Sequence, residues 1–185
     1  MKLFSLLSIV LYTSCSLASI KEIYHPKSQR YLSMEEFIAE LPDQGAIALG
    51  EFHNHPPIQK AQAQIINEKV NQARRTSDFS VHWEFLNHTD QTQIDQVYFQ
   101  FLANLIDAKE FIEQTAGAQN LQYAPIIQAI KDNDGKLYGI NLPRSYKQQV
   151  IKGGIRSIDS TLVPDHFYVG NDRYRERFIQ AMGAH

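Results

Sequence analysis

Hydrophobic positions along this chain follow two rhythms. Short apolar runs of strand length occur at residues 46–50, 79–85 and 136–141, and the stretches between them repeat their apolar residues near the helical period. Ser33 stands three residues before Glu36, a capping box that opens a helix through Leu41, and Pro42 stops it. Residues 58–75 place Ile58, Ala61, Ile65, Ile66 and Val70 on one helical face. Thr89 or Asp90 caps a helix over 91–107 that carries Ile94, Val97, Tyr98, Phe101, Leu102 and Leu105. Shorter helices are predicted over 109–115, 123–131 and 145–153. The last, over 172–182, interleaves Tyr174, Phe178 and Met182 with Arg173, Arg175, Glu176 and Arg177. Asp132-Asn133-Asp134-Gly135 is a turn with glycine where a turn needs it. Ile23-Tyr24 suits a short edge strand, and residues 157–172 read as a long loop.

Alternating strands and helices predict an α/β fold, a mostly parallel sheet with helices on both faces. At 185 residues the chain suffices for one domain. Residues 19–43 read as a linker and entry helix, and residues 44–185 as the α/β domain. Hydrophobic residues are 43% of the chain and charged residues 21%, the balance of a soluble globular protein. A formal net charge of −2 leaves no basic excess to neutralise phosphates, which excludes a dedicated nucleic-acid binder. Arg74-Arg75 is the charged end of a surface helix.

The first eighteen residues form a signal peptide. Lys2 precedes an apolar run from Leu3 to Leu11 that is too short to span a bilayer and suits secretion. Tyr12-Thr13-Ser14-Cys15 is similar to a bacterial lipobox, which makes Cys15 a candidate for lipidation and membrane anchoring in the cell envelope. Cleavage after Ser16-Leu17-Ala18 is the competing outcome and leaves a periplasmic protein. Cys15 is the sole cysteine, so no disulfide can form within the chain.

Candidate chemistry gathers where the strands end. Gly50 breaks the first apolar run, and Glu51, His53 and His55 follow at once. In a parallel sheet the pocket lies beyond the carboxyl ends of the strands, where Glu51, His53, Glu84, Asn141 and Arg144 all fall. Glu51 accepts protons or holds a cation, and His53 ligates metal or shuttles a proton near neutral pH. Glu84, between Trp83 and Phe85, is expected in an apolar setting that raises its pKa. The plainer alternative is a polar cluster that only pins loops through hydrogen bonds.

These residues carry a resemblance. Ile47-Ala48-Leu49-Gly50-Glu51-Phe52-His53, Trp83-Glu84-Phe85, Tyr123-Ala124-Pro125 and Gly139-Ile140-Asn141-Leu142-Pro143-Arg144 resemble, in order, the ChaN family of bacterial haem-binding lipoproteins. That family is related to the Tiki proteases and TraB-like proteins. The resemblance implies an exported haem-binding protein of iron uptake, a homodimer with two haems stacked at its interface and iron held by tyrosine. The candidate tyrosines are Tyr174, Tyr168 and Tyr123, with Arg144, or Arg173 and Arg175, for the propionates. Family members continue beyond the point where this chain stops, so it reads as incomplete relative to them. The Tiki branch implies the alternative of a divalent-metal-dependent hydrolase. There Glu51 and His53 hold the ion, Glu84 is a further ligand or base, and Arg144 stabilises the oxyanion. His185 is the remaining candidate for the third ligand of that pattern.

Overall fold

The computed structural model of the protein describes residues 22–73, 78–163 and 170–182. The signal segment with Cys15, the pair Arg74-Arg75, Tyr168 and His185 lie outside the described residues. The described chain opens with an antiparallel pair, β1 (Ile23–His25) and β2 (Arg30–Leu32), in which Tyr24 sits opposite Tyr31. Helix α1 (Met34–Glu40) begins with the predicted box: the Ser33 hydroxyl accepts the Glu36 N–H at 3.2 Å, and the Glu36 carboxylate accepts the Ser33 N–H at 2.8 Å.

Helix α2 (Pro56–Gln72) starts two residues earlier than the periodicity predicts. Pro56 and Pro57 occupy its first turn, where backbone N–H groups have no helical partner to lose. Strand β3 (Ser80–Asn87) leads through a short 3-10 turn into α3 (Gln91–Leu102) and then α4 (Ala108–Thr115). A 3-10 helix at Ala118–Tyr123 feeds α5 (Ala124–Asp132), and β4 (Lys136–Asn141) follows. After it come α6 (Arg144–Gly153), a 3-10 turn at Ile155–Ser157, another at Ser160–Leu162 within the predicted loop, and α7 (Asp172–Met182). The predicted helix over 91–107 ends early, at Leu102, where Asn104 adopts a left-handed φ of 58°, and Asp107 caps α4 one residue ahead of the predicted start at 109.

Strands β3 and β4 pair in parallel, Val81 opposite Leu137 and Trp83 opposite Gly139. The helices between them form the crossover that parallel pairing requires, so the α/β class holds. Past Trp83 the register slips, and Asn87 pairs with Asn141. That irregularity lets Leu86 turn inward although it is out of phase with Trp83. One face of the pair is buried against α2, α3, α4 and α5 in a single core that includes Trp83, Leu137, Phe101, Phe111, Ile127 and Ile130. On the other face Ser80, His82, Glu84, Lys136, Tyr138 and Ile140 are exposed.

The predicted first strand is the main departure. Residues 46–50 are neither helix nor strand, and all but Leu49 are exposed. Residues 46–49 border a cleft of about 880 Å3 whose other walls include β3 and the apolar face of α2. An apolar run becomes a strand only where a neighbour pairs its backbone, and here the cleft lies between the run and β3. Among the described residues no helix is long and apolar enough to cross a membrane.

Candidate functional site

Glu51 is the centre of the site. Its carboxylate Oε1 accepts a hydrogen bond from His53 Nδ1 at 2.7 Å and another from the Tyr123 hydroxyl, and Oε2 accepts from Gln59 Nε2 at 3.2 Å. Three donors on one nearly buried carboxylate have a net effect that can be read directly. Burial opposes the charge, but the bonds from Tyr123, His53 and Gln59 outweigh it and hold the Glu51 pKa below the usual glutamate value. Glu51 is therefore a carboxylate at neutral pH. Tyr123 responds in the opposite sense: burial first, and then the Glu51 charge that its hydroxyl faces, push its pKa upward.

The fold delivers these groups from three directions. Glu51 and His53 follow the unpaired segment, Gln59 lies in the first turns of α2, and Tyr123 ends the 3-10 helix before α5. Tyr123 is held without exposure between Trp83 and Phe85, with ring centroids 5.3 and 4.6 Å away. Gln122 Nε2, its neighbour, donates to Asn54 Oδ1 at 2.6 Å and ties the Glu51 loop to the same turn. Asn54 has a φ of 57°, a left-handed conformation that asparagine tolerates.

Glu84 joins from the end of β3. His53 bridges the two carboxylates, its Nε2 lying 3.9 Å from Glu84 Oε1, and its ring meets Phe85 edge-on at 5.2 Å. One ligand atom from each of Glu51, His53 and Glu84 falls within 4.8 Å of the others, a spacing that can hold a cation. The apolar setting expected for Glu84 is not realised. Successive strand residues point to opposite faces, so Trp83 and Phe85 turn inward while Glu84 turns outward with 57% of its side chain exposed.

Other sequence-predicted residues lie apart from this cluster. Asn141 Oδ1 accepts the Leu142 N–H at 3.0 Å, and its backbone carbonyl lies 3.3 Å from His88 Nδ1, so its polar groups shape the turn after β4. Arg144 is exposed at the start of α6 and, among the described residues, makes no ion pair or hydrogen bond with Glu51, His53 or Glu84. His55 is the exposed N-cap of α2. Tyr174 stands on α7, 60% exposed, between the exposed Arg173 and Arg175. Gln59 and Gln62 escaped the sequence reading, yet both are buried and each has an Oε1 without a hydrogen-bond partner among the described residues. Their signal lies in the sequence: two amides occur within the helix whose apolar face is read as Ile58, Ala61, Ile65, Ile66 and Val70.

Residues 37–185 match the profile of the family described as haem-binding uptake, Tiki superfamily, ChaN. The chain belongs to that family. Among solved structures, the one described as cofacial heme binding to ChaN of Campylobacter jejuni superposes with a TM-score of 0.65 at 23% identity. The superposition covers 85% of this chain and 60% of that one, so this chain spans less than two thirds of the ChaN structure it resembles. At that identity the likeness establishes a ChaN-like fold. Comparison with functionally curated proteins gives no match.

Proposed function

We propose that this protein binds ferric haem in the manner of the ChaN family, as an exported protein of haem and iron uptake. The structural observation that carries the reading is α7, which presents Tyr174 to solvent flanked by Arg173 and Arg175. A phenolate is a hard anionic donor suited to ferric iron, and guanidinium groups pair with propionates through bidentate bonds. Haem itself supplies the redox-active iron and a flat apolar disc; the chain's residues bind, orient and shield it. Tyr123 is the weaker ligand, because its hydroxyl already donates to Glu51 and burial keeps it protonated. Tyr168 is kept as the second candidate.

An open ligand surface on α7 suits a site completed by a second copy, with two haems stacked between protomers. Lipidation at Cys15 accounts for envelope attachment, and a protein cleaved after Ala18 is periplasmic. The test is a titration of the chain from Ser16 with ferric haem, following the Soret band and molecular mass together. A saturable, high-spin spectrum with doubling of mass is expected, and Tyr174→Phe weakens binding at least about tenfold, the effect of losing roughly 1.4 kcal/mol. Equal affinity of the variant and the parent protein rejects Tyr174 as the ligand.

One observation favours a second reading, a divalent-metal site of the Tiki type. The cluster of Glu51, His53 and Glu84 offers three ligand atoms, the number that a catalytic site presents beside an open position for water. Calorimetric titration with zinc or manganese decides it. Stoichiometric binding lost in Glu51→Gln supports the metal reading, and no binding by the parent protein removes it.

A further inference from the structure

The ribbon made by β1 and β2 has two unlike faces. Its register sets Ile23 opposite Leu32, Tyr24 opposite Tyr31 and His25 opposite Arg30, and directly opposed side chains of an antiparallel pair share a face. The face with Leu32 and Arg30 is turned to α1. Leu32 is fully buried, Arg30 pairs with Glu36 and Glu40 at 3.4 and 3.3 Å, and His25 Nε2 lies 3.5 Å from Glu40 Oε2. The other face is Tyr24 and Tyr31. Their ring centroids are 5.4 Å apart, and at 53% and 66% exposure neither ring is used in the core.

The ribbon is mounted on the body of the protein. The Ser33 box fixes the start of α1, and beyond its end Lys69 Nζ of α2 donates to the Leu41 carbonyl and to Asp43 Oδ1, each at 2.9 Å. Its place in the chain says what meets the two tyrosines. Residues 16–21 separate Cys15 from Glu22, the first described residue, and the chain from Cys15 to Glu22 reaches no farther than about 25 Å. A lipid on Cys15 therefore keeps the ribbon within that distance of a bilayer surface. Tyrosine suits that zone, because its ring enters the headgroup layer while its hydroxyl stays in water. Lys21 and Lys27 outnumber Glu22 beside the pair, and anionic headgroups attract them.

We propose that Tyr24 and Tyr31 form an aromatic foot that rests in the headgroup layer of the bilayer to which Cys15 is anchored, and so fixes how the protein stands on the membrane. The inference rests on lipidation of Cys15 and adds a contact that the anchor does not make. A tether alone limits the distance to the bilayer and leaves the body free to turn. Two rings on opposed strands enter the layer side by side, and the ion pairs of Arg30 with Glu36 and Glu40 pass that orientation to α1. Haem or metal binding plays no part in it.

The test uses the full chain, processed in and purified from bacterial membranes, with the lipid on Cys15 checked by mass. It is reconstituted in vesicles of phosphatidylethanolamine and phosphatidylglycerol, with or without bromine on the acyl chains near the headgroups, where bromine quenches indole emission on contact. The single native tryptophan, Trp83, is buried in the core and gives the baseline. Tyr31→Trp and Tyr24→Trp are each expected to lose at least about half of their added emission in brominated vesicles, whereas Phe99→Trp, at a similarly exposed position on α3, keeps it. Where one tyrosine variant fails to fold by circular dichroism, the other carries the test. Full emission from the tyrosine positions of a lipidated chain overturns the foot and leaves the anchor standing. Quenching at position 99 as strong as at 31 also overturns it, because contact is then not confined to the ribbon. A mass without lipid removes the anchor, and the foot with it.

Discussion

At the scale of single residues, the organising contact is a carboxylate whose charge burial opposes and three donors favour. Its folded pKa lies below the usual glutamate value, because the bonds from Tyr123, His53 and Gln59 outweigh burial. A depressed carboxylate contributes stability above its unfolded pKa, and that contribution is lost as pH falls through the folded pKa. Thermal unfolding of the parent protein is therefore expected to lose stability below about pH 4.3, while Glu51→Gln lacks this part of the slope. The two curves converge as pH falls, and parallel curves down to pH 2 would show that Glu51 has no favoured ionised form. Removing one donor gives an independent check. Tyr123→Phe leaves a buried carboxylate short of a partner and is expected to cost about 1–3 kcal/mol in urea denaturation.

Elements begin and end where local chemistry dictates, whatever their surroundings. Asp107 is the N-cap of α4: its carboxylate accepts the Lys109 and Glu110 N–H groups at 2.8 and 2.9 Å, while Glu110 reaches back to the Asp107 N–H at 2.7 Å. Asp107→Ala is expected to lower stability by about 1 kcal/mol, read as a shift of the urea midpoint at unchanged slope. A shift below about 0.3 kcal/mol would mean that packing of Phe111 and Ile112 alone starts this helix. Gly139 shows an element constrained from outside. A Cβ there would lie 2.6 Å from the Asn87 carbonyl oxygen, at the register slip of β3, so only glycine lets the two strands approach.

For the whole molecule, stability concentrates on one side of the sheet. Phe111 is fully buried, with Tyr98 and Phe101 each 5.9 Å away between ring centroids. Phe111→Ala is expected to cost about 3–5 kcal/mol, a large part of a domain's stability, and to abolish cooperative thermal unfolding at 37 °C. A cooperative transition retained within a few degrees of the parent Tm would place the core elsewhere. On the opposite face and on α7, Tyr138, Ile140, Tyr174 and Ile179 are exposed.

The sequence by itself determined the local events. The Ser33 capping box, the turn before β4 and the apolar face of α3 through Phe101 are set by neighbours within a few residues, so pattern suffices to read them. The ordered likeness of short motifs also points to the ChaN family from sequence alone. Pairing and burial were decided only by tertiary structure. Residues 46–50 have a strand's composition, yet a strand exists only when another backbone accepts it. The apolar neighbours of Glu84 misled because residues adjacent in a strand face opposite ways. Tyr123 and Gln59 meet Glu51 from segments 72 and 8 residues away, and no local pattern encodes that meeting. It depends on how α2 and the turn before α5 pack, which is a property of the folded core.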